Sequence, residues 1–274
     1  MQRKSHLSDT PAGAHWLVVI AALLQIATPL LPSLGVGNPI GSQSDSVRTL
    51  ITPAGWAFSI WGALYTGSLA FAVYQWLPAQ RHSRLLTGLR LPAANAFLGN
   101  AAWAAYVQLF GLSLISAAII TFTLVNLLAI YRRLNQWASG FSSGERWLIV
   151  LPLSALTSWL TVATIVNLAA SLRFHGVEAS PGGAPLIAAA VVVVGGLIAG
   201  TVLLRTGGNP PYALVFLWAL SAIYTAGGQR TGFVALAAAI AAIVVVAASI
   251  MGMRRGGIEH WLAGHPRQGA DPVA

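Results

Sequence analysis

The 274-residue sequence contains no cysteine, so neither a disulfide nor a thiolate metal site is open to it. Charge is nearly as scarce. Only 8% of residues are Asp, Glu, Lys or Arg, against about 25% in a soluble domain. Acid is the scarcer sign: Asp9, Asp45, Glu145, Glu178, Glu259 and Asp271 are the whole supply, and none lies in a long hydrophobic run. Lys, Arg and His also stay out of those runs, except His15 at the edge of the first. Ionisable groups inside a bilayer mark proton relays and ion-coupled transport, so their absence argues against a proton-coupled pump. It argues equally against acid/base or metal-assisted catalysis within the membrane, and no enzymatic activity is expected. No internal repeat stands out.

What is present is apolar: 56% of residues are hydrophobic. The pattern predicts an all-α fold, a polytopic membrane helix bundle of about eight transmembrane helices. A helix of about 20 apolar residues crosses the hydrocarbon core. The spans run from His15 to about Ser33, Thr52–Trp76, Pro92–Phe110, Leu112–Tyr131, Trp147–Leu172, Pro185–Leu204, Tyr212–Ala226 and Gly232–Met253. The first is long and lacks a small-residue cleavage site, so it reads as an uncleaved helix rather than a signal peptide. Residues 1–14 form a polar N-terminal tail. Residues 254–274, rich in Gly, Pro and Arg, read as a disordered cytoplasmic tail.

The net charge of +9 sits in the connections, where the positive-inside rule explains it without nucleic acid. With the N-terminus inside, the inner segments hold twelve Lys and Arg: Arg3, Lys4, Arg81, Arg84, Arg90, Arg132, Arg133, Arg146, Arg205, Arg254, Arg255 and Arg267. The outer segments hold only three: Arg48, Arg173 and Arg230. That bias predicts both termini on the cytoplasmic side.

The stretch Thr52–Trp76 is the one around which the other spans are expected to pack. Pro53 suits a first helical turn. Gly55, Ser59, Ala63 and Gly67 recur every four residues and predict a groove for close helix approach. Phe58, Trp61 and Tyr65 form an aromatic ridge beside it.

The polar side chains within the spans are neutral: Gln25, Asn95, Asn100, Gln108, Asn126, Asn167 and several Ser and Thr. Trp16, Trp76, Trp137, Trp147 and Trp261 stand at or beyond span ends, as an interfacial aromatic belt would. Trp61, Trp103 and Trp159 do not. At 1.5 Å per residue, they lie roughly 12, 10 and 20 Å below the outer face, and Asn100 and Asn167 about 15 and 8 Å below it. The long Gly/Ser/Pro-rich connection 34–52 lies on that side. Apolar walls, π faces and a few neutral hydrogen-bonders suit a pocket for a flat apolar ligand. The same residues also suit helix-on-helix packing, where an interhelical Asn contributes about 0.6–2 kcal/mol.

At these residues the chain resembles the translocator-protein family, also called tryptophan-rich sensory protein (TspO/MBR). Three blocks carry the resemblance: Pro53 to Tyr65 with Trp56, Phe58 and Trp61-x-x-Leu64-Tyr65; Asn100-Ala-Ala-Trp103; and Trp159-x-x-x-Ala163-x-x-x-Asn167. The family's Phe-Gly-Pro-x-Trp reads here as Phe58-Ser59-Ile60-Trp61, one residue shorter. The resemblance covers about residues 15–172, a five-helix unit, and leaves 173–253 as three additional helices, as in longer bacterial members. It implies a bundle in the bacterial inner membrane, with a pocket covered by the first loop. The implied ligand is a porphyrin, another tetrapyrrole or a sterol-like molecule. Membrane lipids and a second copy in a homodimer are the implied partners. The residues matching the motifs are Trp56, Phe58, Trp61, Tyr65, Asn100, Trp103, Trp159, Ala163 and Asn167, of which Ala163 and Asn167 suit helix packing equally.

Three functions remain open on this reading. One is an outer-leaflet binder of a flat hydrophobic ligand, for sensing or transport. The second is a small-molecule transporter, in which Gly196-x-x-x-Gly200 would pack a moving helix pair. The third is a membrane scaffold without a ligand, docking through its last three helices.

Overall fold

The computed structural model of the protein describes residues 13–263. Arg3, Lys4 and Arg267 of the charge count therefore lie outside the described residues, as does the tail beyond residue 263. Helix α1 (Ala14–Ala27) continues as a 3-10 helix over Thr28–Leu34. Pro29 and Pro32 lack the N–H that an α-helical turn would use, and the tighter turn follows. After a short α2 (Ile40–Ser46) comes a 3-10 segment, Gly55–Ser59, which leads into α3 (Ile60–Trp76).

The expected helix start at Pro53 is thus corrected. Pro53 lies in the preceding turn, and the next residue, Ala54, donates its N–H to the Ala222 carbonyl at 3.1 Å. The backbone there is committed to a distant helix rather than to a first turn of its own. Helix α4 (Arg84–Phe110) also differs from expectation. It begins at the Ser83 cap, whose hydroxyl accepts from the Leu86 N–H, and runs through Pro92 instead of starting there. Helix α5 (Leu114–Gln136) follows a tight turn at Gly111, which has φ of 80°. The single turn α6 (Ser143–Glu145) carries a capping box between Ser142 and Glu145 and passes through a π turn into α7 (Leu151–Phe174). Helices α8 (Ala184–Arg205), α9 (Pro210–Ile223) and α10 (Gly232–Gly252) complete the bundle.

Among the described residues, seven segments are long and apolar enough to cross a membrane. The expected third span is not among them. At 27 residues α4 reaches about 40 Å, so length is not the reason. Arg84, Arg90, Asn95, Asn100 and Gln108 lower its apolarity.

Helix α1 lies between α3 and α4, α4 packs on α5, α5 on α7, and α7 returns to α3, which closes a five-helix ring. Beside it α8 and α10 run against each other. A Cβ on Gly196 would come 2.5 Å from the Ala241 Cβ, and one on Gly200 2.7 Å from Val244 Cγ1. The small-xxx-small pair therefore serves close packing of α8 on α10. Helix α9 joins the two groups through a buried polar seam. The Ser158 hydroxyl donates to the Tyr212 carbonyl at 2.7 Å, the Asn209 amide to Ser154 Oγ at 3.1 Å, and the Tyr212 hydroxyl to Thr161 Oγ1 at 3.3 Å.

This arrangement moves the centre of the bundle. In the most apolar stretch of Ser143–Phe174, 72% of residues are buried, against 28% in Gly55–Trp76. Helix α7, which faces α3, α5 and α9, is the enclosed one. The predicted groove on α3 is uncovered: Gly55, Ser59 and Ala63 are exposed, and only Gly67 meets a neighbour closely, with a Cβ there 2.8 Å from Pro152 Cβ.

Over residues 254–263 the expected disordered tail is corrected as well. Met253–Ala263 folds back with a kink at Arg255 and Gly256. Trp261 is buried, stacks on Phe141 at 5.9 Å and on Tyr131 at 6.3 Å, and donates its Nε1 to the Thr206 carbonyl at 2.8 Å. It is a core residue, not part of an interfacial belt. Trp16, Trp76 and Trp147 remain exposed, as a belt requires.

Candidate functional site: an aromatic cavity under a short helix

The 3-10 turn before α3 aims Phe58 inward, and the first turn of α3 places Trp61 beside it. Trp61 stacks on Trp103 of α4 at 6.2 Å and meets Trp159 of α7 edge-on at 5.9 Å. Phe58 meets Trp159 edge-on at 6.4 Å. Three helices thus converge on one aromatic cluster, in geometries that aromatic pairs prefer. The shortened Phe58–Trp61 segment does not break the cluster, because the 3-10 rise lets both rings face the same side.

Two cavities flank these rings. One, of about 50 Å³, is walled by Phe58, Trp61, Trp103, Trp159, Ala163 and Asn167. The other, of about 220 Å³, lies between Phe58, Trp61, Tyr65 and the α2 residues Ile40, Gly41 and Asp45. Helix α2 forms a lid over both, with Ile40 lining each and Ser44 reaching the smaller one. Its attachment is slight. The Asn38 N–H donates to the Gln108 carbonyl at 2.8 Å, and the Gln43 amide donates to the same oxygen at 3.4 Å.

The cluster is almost uncharged, but it is not without polarity. Trp103 Nε1, Trp159 Nε1 and Asn167 Nδ2 are buried N–H donors with no partner among the described residues. All three side chains line the smaller cavity. Such orphaned donors are rare in folded proteins and call for an explanation. The other side of Asn167 is used, since its Oδ1 accepts from the Ser116 hydroxyl at 2.9 Å.

Of the nine residues singled out in the sequence, Phe58, Trp61, Trp103, Trp159, Ala163 and Asn167 meet at the smaller cavity, and Tyr65 lines the larger. Two stand apart. Trp56 is 44% exposed and packs edge-on against Trp218 of α9 at 4.8 Å. Asn100 faces α1 and the Tyr65 hydroxyl instead, donating its amide to Gln25 Oε1 at 3.3 Å. For Asn100 interhelical hydrogen bonding describes the residue, and the same holds for Asn95 with Asn126 and for Gln108 with the Thr28 carbonyl. The lid residues Ile40 and Ser44 carried no sequence signal beyond the length of their connection, because α2 shows no apolar period. The buried Arg90 was likewise hidden by the expected helix start at Pro92. It donates to Gln75 Oε1 at 3.1 Å and to the Gln80 and Arg81 carbonyls at 2.9 and 3.1 Å.

The fold and this site together define a multi-pass membrane helix bundle with an aromatic-walled cavity near one end. A family model described as TSPO-like protein matches residues 15–251, and the chain belongs to that family. The match runs past residue 172 and takes in α8, α9 and nearly all of α10. Neither a curated protein nor a solved structure matches the chain.

Proposed function

We propose that this TspO-type integral membrane protein binds a flat hydrophobic ligand with hydrogen-bond acceptors at its edge, such as a porphyrin or another tetrapyrrole or a sterol-like molecule, in the cavity between α3, α4 and α7. The observation that carries the reading is that three side chains with buried, unpartnered N–H donors line one aromatic-walled space. Aromatic faces take the flat body, and the donors suit acceptor atoms at its rim. The reading is of a binding protein for sensing or transport, without a catalytic step. It places the site in the outer leaflet of a bacterial inner membrane, with both termini cytoplasmic.

Size sets a condition on this function. The two cavities, about 50 and 220 Å³, fall short of the roughly 300–1,000 Å³ of pockets that enclose drug-sized ligands. A tetrapyrrole enters only if α2 lifts from its single carbonyl anchor and the two spaces merge.

The test is a titration of the purified protein with protoporphyrin IX, read by quenching of Trp fluorescence and by porphyrin absorbance. Each stacking contact is worth about 1–3 kcal/mol, so a Trp61→Ala, Trp103→Ala variant is expected to bind at least about tenfold more weakly. Equal binding by both proteins, or none by the wild type, would remove the cavity as the site.

A further inference from the structure

We propose that a second ligand site lies at the junction between the five-helix ring and the last three helices, and that it takes an amphiphilic anion, a carboxylate or phosphate head on an apolar body. The sequence offers three arginines on the connections opposite the basic face: Arg48, Arg173 and Arg230. The structure brings all three to one cavity of about 670 Å³, far larger than either space at the aromatic cluster. Arg48 comes from the segment after α2, Arg173 from the last turn of α7, and Arg230 from the turn between α9 and α10. Below them the walls are apolar, formed by Leu50, Ile51, Leu172, Ile187 and Val191.

The three charges are held there by the fold. Gly227 packs so closely on the Leu50 carbonyl that a Cβ would overlap it, which fixes the Arg230 turn against the 48–51 segment. The Arg230 N–H donates to the Gly227 carbonyl at 3.0 Å and completes that turn. Glu178 is the one acidic residue of the lining, and it pairs with Arg173 at 3.5 Å. Arg48 pairs with Asp45. The Arg230 guanidinium has no hydrogen bond or ion pair among the described residues.

Two of the three arginines are paired with Asp45 and Glu178, which leaves the charge of Arg230 uncompensated at the mouth over an apolar floor. An anion at the mouth supplies the counter-ion that Arg230 lacks and can share the guanidinium groups of Arg48 and Arg173. Guanidinium forks fit carboxylate and phosphate oxygens two at a time, and the walls below take a hydrocarbon chain or ring. An anionic lipid and a free amphiphilic acid share this chemistry.

The experiment uses the full chain in phosphatidylcholine nanodiscs with 11-(dansylamino)undecanoate and its methyl ester as probes. The acid is expected to bind saturably and the uncharged ester at least tenfold more weakly. Arg48→Gln, Arg173→Gln, Arg230→Gln in one chain should weaken the acid at least tenfold and leave the ester unchanged. Arg230→Gln alone breaks no hydrogen bond or ion pair among the described residues, so it tests the site even if the triple variant fails to assemble; a threefold loss is expected. Glu178→Gln frees Arg173 from its carboxylate partner and should tighten binding about threefold. Trp61→Ala, Trp103→Ala should change nothing here, and this separates the site from the aromatic cavity. Displacement of the probe by phosphatidylglycerol placed in the disc assigns the site to a membrane lipid, whereas displacement by soluble undecanoate alone assigns it to a free amphiphile. Ester binding as tight as that of the acid, full affinity in Arg230→Gln, or loss of binding in the tryptophan variant would each overturn the proposal.

Discussion

The lid should be separable from the rest of the fold by a single methyl group. Gly35 and Gly37 both have positive φ, 80° and 75°. A Cβ at Gly35 meets nothing within 4 Å, whereas one at Gly37 falls 2.7 Å from the Gln108 carbonyl oxygen and 3.0 Å from its carbon. That carbonyl belongs to α4 and cannot swing aside. Alanine at either position carries the left-handed strain of about 1–2 kcal/mol. Gly37→Ala additionally pushes the segment off its anchor and weakens the Asn38 hydrogen bond, worth about 0.5–1.5 kcal/mol. Gly37→Ala should therefore cost about 1–2 kcal/mol more than Gly35→Ala, and about 1.4 kcal/mol is a factor of ten. Amide exchange followed by mass spectrometry reads this directly. Peptides covering Ile40–Ser46 should exchange about 5–30-fold faster in Gly37→Ala than in Gly35→Ala, with α7 peptides unchanged in both. Equal exchange in the two variants, or equal acceleration throughout α7, would show that the 37–46 segment is not anchored through Gln108.

Two further predictions concern parts of the fold that the hydropathy pattern hides. Trp261→Ala removes a buried ring stacked on Phe141 and Tyr131 and leaves the Thr206 carbonyl without its donor, so it should destabilise the protein by about 3–5 kcal/mol; thermal unfolding in detergent checks this, and an unchanged midpoint would mean that Met253–Ala263 does not pack as described. Arg90 satisfies Gln75 and two loop carbonyls from inside α4, and Arg90→Leu strands those acceptors at about 1–3 kcal/mol each. Arg90→Lys should recover only part of that loss, because an ammonium cannot reproduce the planar fork. Denaturant or thermal midpoints of the two variants compare them, and full recovery by lysine would refute the geometric argument.

Most of the aromatic site was legible because its signal is local. Trp61 and Phe58 sit three residues apart, and Trp159, Ala163 and Asn167 lie on one face at four-residue spacing. The misses share a cause. In lipid both faces of a helix are apolar, so little in the sequence says which face turns inward. The motif match groups Trp56 with Phe58 although it packs on Trp218 of α9, and the four-residue spacing predicts a covered Gly55–Ser59–Ala63 groove although it is exposed.

Composition, hydropathy and motif spacing by themselves determined an all-helical membrane protein, the approximate position of its long helices, and its likeness to the TspO-type family. These depend on residue type and near neighbours, and hydrophobic runs report them without any partner. Only the tertiary structure decided that α7 rather than α3 is the enclosed helix, that α2 closes over the rings, that residues 254–263 fold into the core, and that three arginines spread over 182 positions of sequence share one cavity. Each of these rests on contacts between segments far apart in the chain, and the rotation of each helix about its own axis, which sets those contacts, is fixed only when the whole bundle packs.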